Sequence, residues 1–203
     1  MKNIRHLIIF AASGLLATSC YWQQPHTIVG TGPVESMNVD VPVFTGVTVE
    51  GQCNVTITTG TEQSVTLLAQ SQVLDVMTWE VRGGVLEIGF RRGYNVNPGK
   101  DISAEIVVNE MDYISITGAG SFVASGDPQP YLSVYITGSG NVDAAGLEVE
   151  DCQVSITGAG NCRVYATRSL NVDISGVGTV FYRGNPDVDY KVSGVGNVSP
   201  LPD

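Results

Sequence analysis

The chain has 203 residues, in which 10 Lys and Arg stand against 20 Asp and Glu, for a formal net charge of −10. That balance disfavours nucleic-acid binding, which needs a basic face to neutralise phosphates, and it disfavours electrostatic attachment to anionic lipid. Charged residues make up only 15%, against roughly 25% in an ordinary soluble domain, so Thr, Ser and Asn must cover much of the surface.

The N-terminus carries Lys2 and Arg5, then an apolar run from Leu7 to Leu16, then Ala17-Thr18-Ser19 before Cys20. The run is shorter than the about 20 apolar residues of a membrane span and reads as a secretory signal. It resembles a bacterial lipoprotein signal, in which cleavage falls just before a cysteine that is then lipidated. Leu16 lies one place earlier than the usual leucine, and Ala17 holds that place. The expectation is a signal peptide over 1–19 and a lipid on Cys20 that anchors the protein to the outer membrane, on its periplasmic side or at the cell surface. Loss of Lys2 and Arg5 leaves 8 basic against 20 acidic residues, a net charge of −12. Gln23-Gln24-Pro25 and Gly30-Thr31-Gly32-Pro33 predict a weakly patterned tether over 20–38.

Strand patterns begin near Val39. Cys53, Val55 and Ile57 alternate with Asn54, Thr56 and Thr58, and Val85-Leu86-Glu87-Ile88 follows a Gly83-Gly84 turn. Residues 39–110 therefore read as irregular β coils. Arg91-Arg92-Gly93-Tyr94 and Asn97-Pro98-Gly99-Lys100 read as an exposed excursion between them.

From residue 111 the chain repeats. Thr117-Gly118-Ala119-Gly120 returns as Thr137-Gly138-Ser139-Gly140, Thr157-Gly158-Ala159-Gly160, Ser175-Gly176-Val177-Gly178 and Ser193-Gly194-Val195-Gly196, at spacings of 20, 20, 18 and 18. A short fixed period marks a solenoid, whose coils bury their apolar faces against one another. Four residues before each first glycine stand Ile114, Val134, Val154, Val172 and Tyr190; two before it stand Ile116, Ile136, Ile156, Ile174 and Val192. The residues between are mostly polar, as a half-buried strand requires. Four residues past the glycine come Phe122, Val142, Cys162, Val180 and Val198, the start of a second strand. Each coil thus holds two short strands and two corners. The step from 20 to 18 removes an even number of residues, so the in/out alternation survives. The predicted fold is all-β: a right-handed parallel β-helix, or two-sheeted β-solenoid, over 39–203, with regular coils over 111–203.

These repeats, with Phe44-Thr45-Gly46-Val47, Cys53-Asn54-Val55-Thr56-Ile57 and the Gly-Gly-x-Leu-x-Ile pattern ending at Ile88, resemble the putative auto-transporter adhesin, head GIN domain family. These are secreted or lipid-anchored bacterial proteins. The resemblance implies a two-sheeted right-handed β-helix and a role in adhesion, and it brings no catalytic residues.

Enzymatic readings find little support. Acyltransferases built on hexapeptide β-helices use a histidine base, but here the only histidines are His6 and His26, both outside the coils. Asp143 and Asp173 do not share a column, and Glu148, Glu150 and Asp151 read as a solvated acidic corner. The Gly-x-Gly pairs lack the following helix of a nucleotide site. No cofactor or metal is expected. The alignment places Arg163 and Tyr165 outward beside Phe181 and Arg183 of the next coil. This is a compact patch of two arginines and two aromatics, and it is the candidate contact surface for a glycan or protein ligand. Cross-strand pairing that merely shields the sheet gives the same pattern. Cys53, Cys152 and Cys162 are expected to be buried and reduced, with Cys152 and Cys162 not meeting. The sequence thus reads as a non-catalytic, lipid-anchored envelope protein with a binding role. A structural protein without a discrete ligand is the alternative, and a carbohydrate-active β-helix enzyme is a weaker one.

Overall fold

Alternation and glycine spacing decide the layout, and the strands follow them. The computed structural model describes residues 26–202; Cys20 lies outside that range. In chain order come β1 (His26–Val29), β2 (Val34–Asn38), β3 (Gly46–Gly51), β4 (Asn54–Thr59), β5 (Ser64–Gln70), α1 (Ser71–Leu74), β6 (Met77–Arg82), β7 (Val85–Phe90), β8 (Tyr94–Asn97), β9 (Ser103–Val108) and β10 (Tyr113–Gly118). They continue as β11 (Ser121–Gly138), β12 (Asn141–Ile174), β13 (Val177–Arg183), β14 (Asp187–Val192) and β15 (Val195–Pro200). The fold is all-β, a curled open sheet of 13 strands beside a two-stranded pair of β1 and β8.

The sheet has two arms joined through the long strands. One arm runs β6, β7, β3, β10 and then the second half of β11; the other runs β2, β5, β9, β4 and then the first half of β11. Later rungs add in parallel, with Leu132 beside Cys152 and Val134 beside Val154 at a step of 20, then Cys162 beside Val180 and Val172 beside Tyr190 at a step of 18. Val134, Val154 and Val172 from one arm and Phe122, Val142, Cys162 and Val180 from the other belong to one buried cluster. Each fully buried aliphatic side chain adds about 1.5–3 kcal/mol over leaving it in water.

The glycines are required where rungs approach most closely. Gly118, Gly138 and Gly158 have φ of +139°, +136° and +146°, a region that L side chains rarely adopt. A Cβ on Gly138 would collide with the Gly118 carbonyl, and one on Gly158 with the Gly138 carbonyl. The repeated motif is thus a ladder of backbone against backbone.

The N-terminal half departs from the expected coils in three ways. Residues 26–38, read as part of a tether, supply β1 and β2. β1 pairs with β8, so the excursion after Phe90 is a strand pair, and β2 runs antiparallel to β5. β5 is also antiparallel to β9, and β6 to β7, where parallel coils were expected from residue 39 onward. Finally, β3 lies between β7 and β10, and β4 between β9 and β11. The rung of residues 46–59 therefore sits inside the rung of residues 85–108, although it comes first in the chain. Glutamine side chains brace these irregular joints. Gln70, 3% exposed, accepts from Gly99 N at 2.9 Å and donates to Gly32 O at 3.3 Å. Gln63 donates to the carbonyls of Val41 and Pro42 at 3.2 Å each. Buried Gln129 accepts from Met111 N at 3.2 Å. Buried backbone groups that leave a regular ladder need such partners.

Candidate functional site

Strands β12 and β13 set the patch. Their parallel register places Arg163 beside Phe181 and Tyr165 beside Arg183. The flanking Cys162, Val164, Ala166 and Val180 are fully buried, so period-two alternation turns all four patch residues outward. Arg163 and Arg183 are exposed, and Tyr165 and Phe181 are half-buried. Tyr165 lies over Gly184: a Cβ there would come within 3.3 Å of Tyr165 Cε2, and φ at Gly184 is +88°. The second corner of this rung therefore needs glycine for its positive φ and because a Cβ would collide with the Ala166 carbonyl.

The same outward column continues backward from Arg163 to Asp143 and Val123. Arg163 Nη1 donates to Asp143 Oδ2 at 3.1 Å, with the two side chains 53% and 41% exposed. The arginine thus pairs with a carboxylate on one side and has Phe181 as its ladder neighbour on the other. Asp143 is a patch neighbour that the sequence reading missed, although it stands 20 residues before Arg163 in the same column.

A second ion pair occupies the acidic corner. Arg168 Nε donates to Asp151 Oδ1 at 2.9 Å and Arg168 Nη1 lies 2.9 Å from Glu150 Oε2. The guanidinium and the Ser169 hydroxyl hold the Asp151 carboxyl down to about 2. The corner read as solvated is therefore partly neutralised from the next rung.

The opposite arm carries an aromatic shelf. Tyr113 and Tyr135 lie in neighbouring outward positions with ring centroids 5.5 Å apart. Tyr131 Oη lies 2.7 Å from Ser133 Oγ and donates to Gln153 Oε1 at 3.1 Å. Beside Tyr135 is a shallow trough of about 330 Å³ over Gln153, Asn171 and Asp173. A larger open cleft, about 740 Å³, lies where β6 meets β7, between Trp79, Phe90, Glu50 and Arg82. Neither is marked in the sequence, where these tyrosines and Trp79 stand singly.

Cys53, Cys152 and Cys162 are buried and unbridged, as expected. Burial pushes the Cys53 and Cys152 thiols up to about 12. Cys162 is pushed well above its ordinary value, by burial first and then by Cys152 and Asp143. These thiols are packing groups, far from the thiolate that nucleophilic chemistry needs. Among the described residues, no group of three or more His, Cys, Asp or Glu is arranged to hold a metal ion, and no helix is long and apolar enough to cross a membrane.

The model of the family described as putative auto-transporter adhesin, head GIN domain matches residues 43–130 and 99–186. The chain belongs to this family. Among solved structures, this head GIN domain is similar to a putative adhesin from Bacteroides fragilis NCTC 9343, at 16% identity and a TM-score of 0.53, over 86% of this chain and 100% of that one. That likeness shows the fold. A putative lipid binding protein from Parabacteroides distasonis ATCC 8503 (16% identity, TM-score 0.49) and a putative adhesin from the same organism (17%, TM-score 0.41) each align over 87% of this chain and 100% of their own. No curated protein matches the chain.

Proposed function

We propose that this head GIN domain is a non-catalytic attachment module of the cell envelope, held by lipid on Cys20 and binding through the outward faces of its rungs. Family membership supports adhesion. The observation that carries the contact surface is the register that puts Arg163 beside Phe181 and Tyr165 beside Arg183. Aromatic and arginine side chains offer large contact area with directed donors, a combination suited to glycans and to protein partners.

In this reading the parallel rungs from β10 onward wind as a right-handed, two-sheeted β-solenoid. The constant steps of 20 and then 18 support it, as does the glycine ladder at the first corner. Residues 1–19 are removed on export. Strands β1 and β2 and the link between them, residues 26–38, take up most of the stretch 20–38 expected as a tether.

A glycan-array screen with lipid-free protein tests the binding role, and the double change Tyr165→Ala plus Phe181→Ala tests the patch. Outward truncations cost little stability, so the variant should fold and bind less. Equal binding by variant and parent would reduce the patch to a sheet cover. A structural envelope role is the second reading. The Arg163–Asp143 pair favours it, because it already satisfies the arginine within the sheet.

A further inference from the structure

The two ends of the stack are finished differently. At one end the antiparallel strands β2, β5 and β6 close the sheet. At the other, β14 pairs only with β12, and β15 only with β13, among the described residues. Strand β14 reads Asp187-Val188-Asp189-Tyr190-Lys191-Val192. Its inward column is apolar and buried through Ile114, Val134, Val154 and Val172, yet ends in Tyr190, which is 59% exposed. A row of unsatisfied N–H and C=O groups backed by an uncovered aromatic is a template for another strand.

We propose that the occupant is a second copy of this chain, docked antiparallel along β14 about a two-fold axis through Tyr190. An isologous contact requires a strand to be complementary to itself, and β14 is. Centred on Tyr190, the axis sets Asp189 opposite Lys191 of the second copy, and Val188 opposite Val192 of the second copy. It also sets Asp187 opposite Ser193 of the second copy. Paired residues in an antiparallel ladder share a face, so the charge pairs lie outward and the valines and tyrosines lie over the core. Registers centred on Val188, Asp189 and Lys191 fail on charge, and one centred on Val192 runs nearly all of its pairing past the end of β14. An axis through Asp189 or Lys191 opposes like charges at the axis, and one through Val188 sets Asp187 against Asp189. The two-fold repeats each Asp189–Lys191 contact, so the joint carries two such pairs. This dimer leaves the Arg163–Phe181 patch open and is independent of what that patch binds.

Sedimentation equilibrium of the full chain in density-matched detergent should show a monomer–dimer equilibrium. Lys191→Glu places carboxylate against carboxylate twice and should weaken the dimer about tenfold or more. Asp189→Lys combined with Lys191→Glu restores opposite charges across the axis and should return most of that affinity. Tyr190→Cys should give an oxidised covalent dimer that the parent does not give, since facing residues at the axis have Cβ atoms about 4.5–5.5 Å apart. Lys191 and Asp189 are both exposed, so these variants retain the fold, and circular dichroism verifies that. A parent that stays monomeric, a dimer indifferent to Lys191→Glu, or a double variant as weak as the single one would each overturn the proposal. Growth beyond the dimer would show head-to-tail joining to the β6 end instead, and would overturn it as well.

Discussion

Arg168 lies over Asp151 of the preceding rung, and Ser169 donates its hydroxyl to the same Asp151 oxygen, Oδ1, at 2.7 Å. The carboxyl is held at about 2 by the Arg168 hydrogen bonds first and the Ser169 hydroxyl second. Carboxyl-carbon NMR should therefore find Asp151 titrating near 2 in the parent. In Arg168→Gln the midpoint should rise most of the way to the ordinary value of about 3.9, and in Ser169→Ala it should rise less. Because the folded value lies below the unfolded one, the contribution to stability is complete above about pH 4 and is lost as pH falls toward 2. An unchanged midpoint in Arg168→Gln would show that the arginine does not set it.

Gly138 and Gly83 make a matched test of the glycine ladder. Both have positive φ, +136° and +59°. A Cβ on Gly83 meets nothing within 4 Å, whereas one on Gly138 runs into the Gly118 backbone. Gly83→Ala should cost about 1 kcal/mol, the ordinary left-handed penalty. Gly138→Ala should cost about 3 kcal/mol or more, because rungs must separate. Urea midpoints check the pair; equal losses would mean that conformation alone, and not close stacking, demands the motif.

Native thiol labelling should be slow, since Cys53, Cys152 and Cys162 are buried. After denaturation three equivalents are expected if Cys20 carries lipid, and four if it does not. The thiols also make stability fall with alkali. With Cys53 and Cys152 raised from 9.0 to about 12, the unfolded chain releases protons that the folded chain keeps. The thiol contribution is full below about pH 9 and is lost as pH rises toward 12. Replacing Cys152 by Ala should flatten part of that alkaline decline in a denaturation series; an identical decline would assign it elsewhere.

Gln70→Ala removes the acceptor for Gly99 N and the donor for Gly32 O. Leaving such groups unpaired costs about 1–3 kcal/mol. The loss is local, so hydrogen exchange in β1, β2 and β8 should quicken about tenfold or more while the rungs of β12 keep their protection. Uniform acceleration over the whole chain would contradict this.

The rungs from Tyr113 onward were legible because one physical constraint repeats there. Each rung must hide the same column against the next, so Ile116, Ile136, Ile156 and Ile174 recur at the spacing of their partners. Extending the columns by one step would also have found Asp143 against Arg163, and Arg168 beside the Asp151 corner. The N-terminal half carries no such period. Its antiparallel joints are secured by single side chains, notably Gln63 and Gln70, whose partners lie 19 to 38 residues away. A glutamine that binds backbone leaves no hydrophobic pattern. Residues 26–38 looked like a linker because Gly30, Gly32 and Pro33 dominate their composition, yet the short strands on either side pair with β8 and β5.

The inverted position of residues 46–59 has a consequence for how the chain assembles. From the second half of β11 onward, each new rung finds its neighbour 18 or 20 residues back, so growth is local and fast in principle. β3 and β4 are different: β7 lies 39 residues further along, β9 lies 49, and β10 and β11 lie 67. A chain that emerges N-terminus first therefore presents β3 and β4 with neither flank available. Val47 and Val49 stay without a neighbouring strand until residue 90 has followed, and Val55 and Ile57 until residue 108. That interval, rather than the regular stack, is where the protein is open to wrong strand partners and to proteolysis, and where a chaperone would have the most to hold.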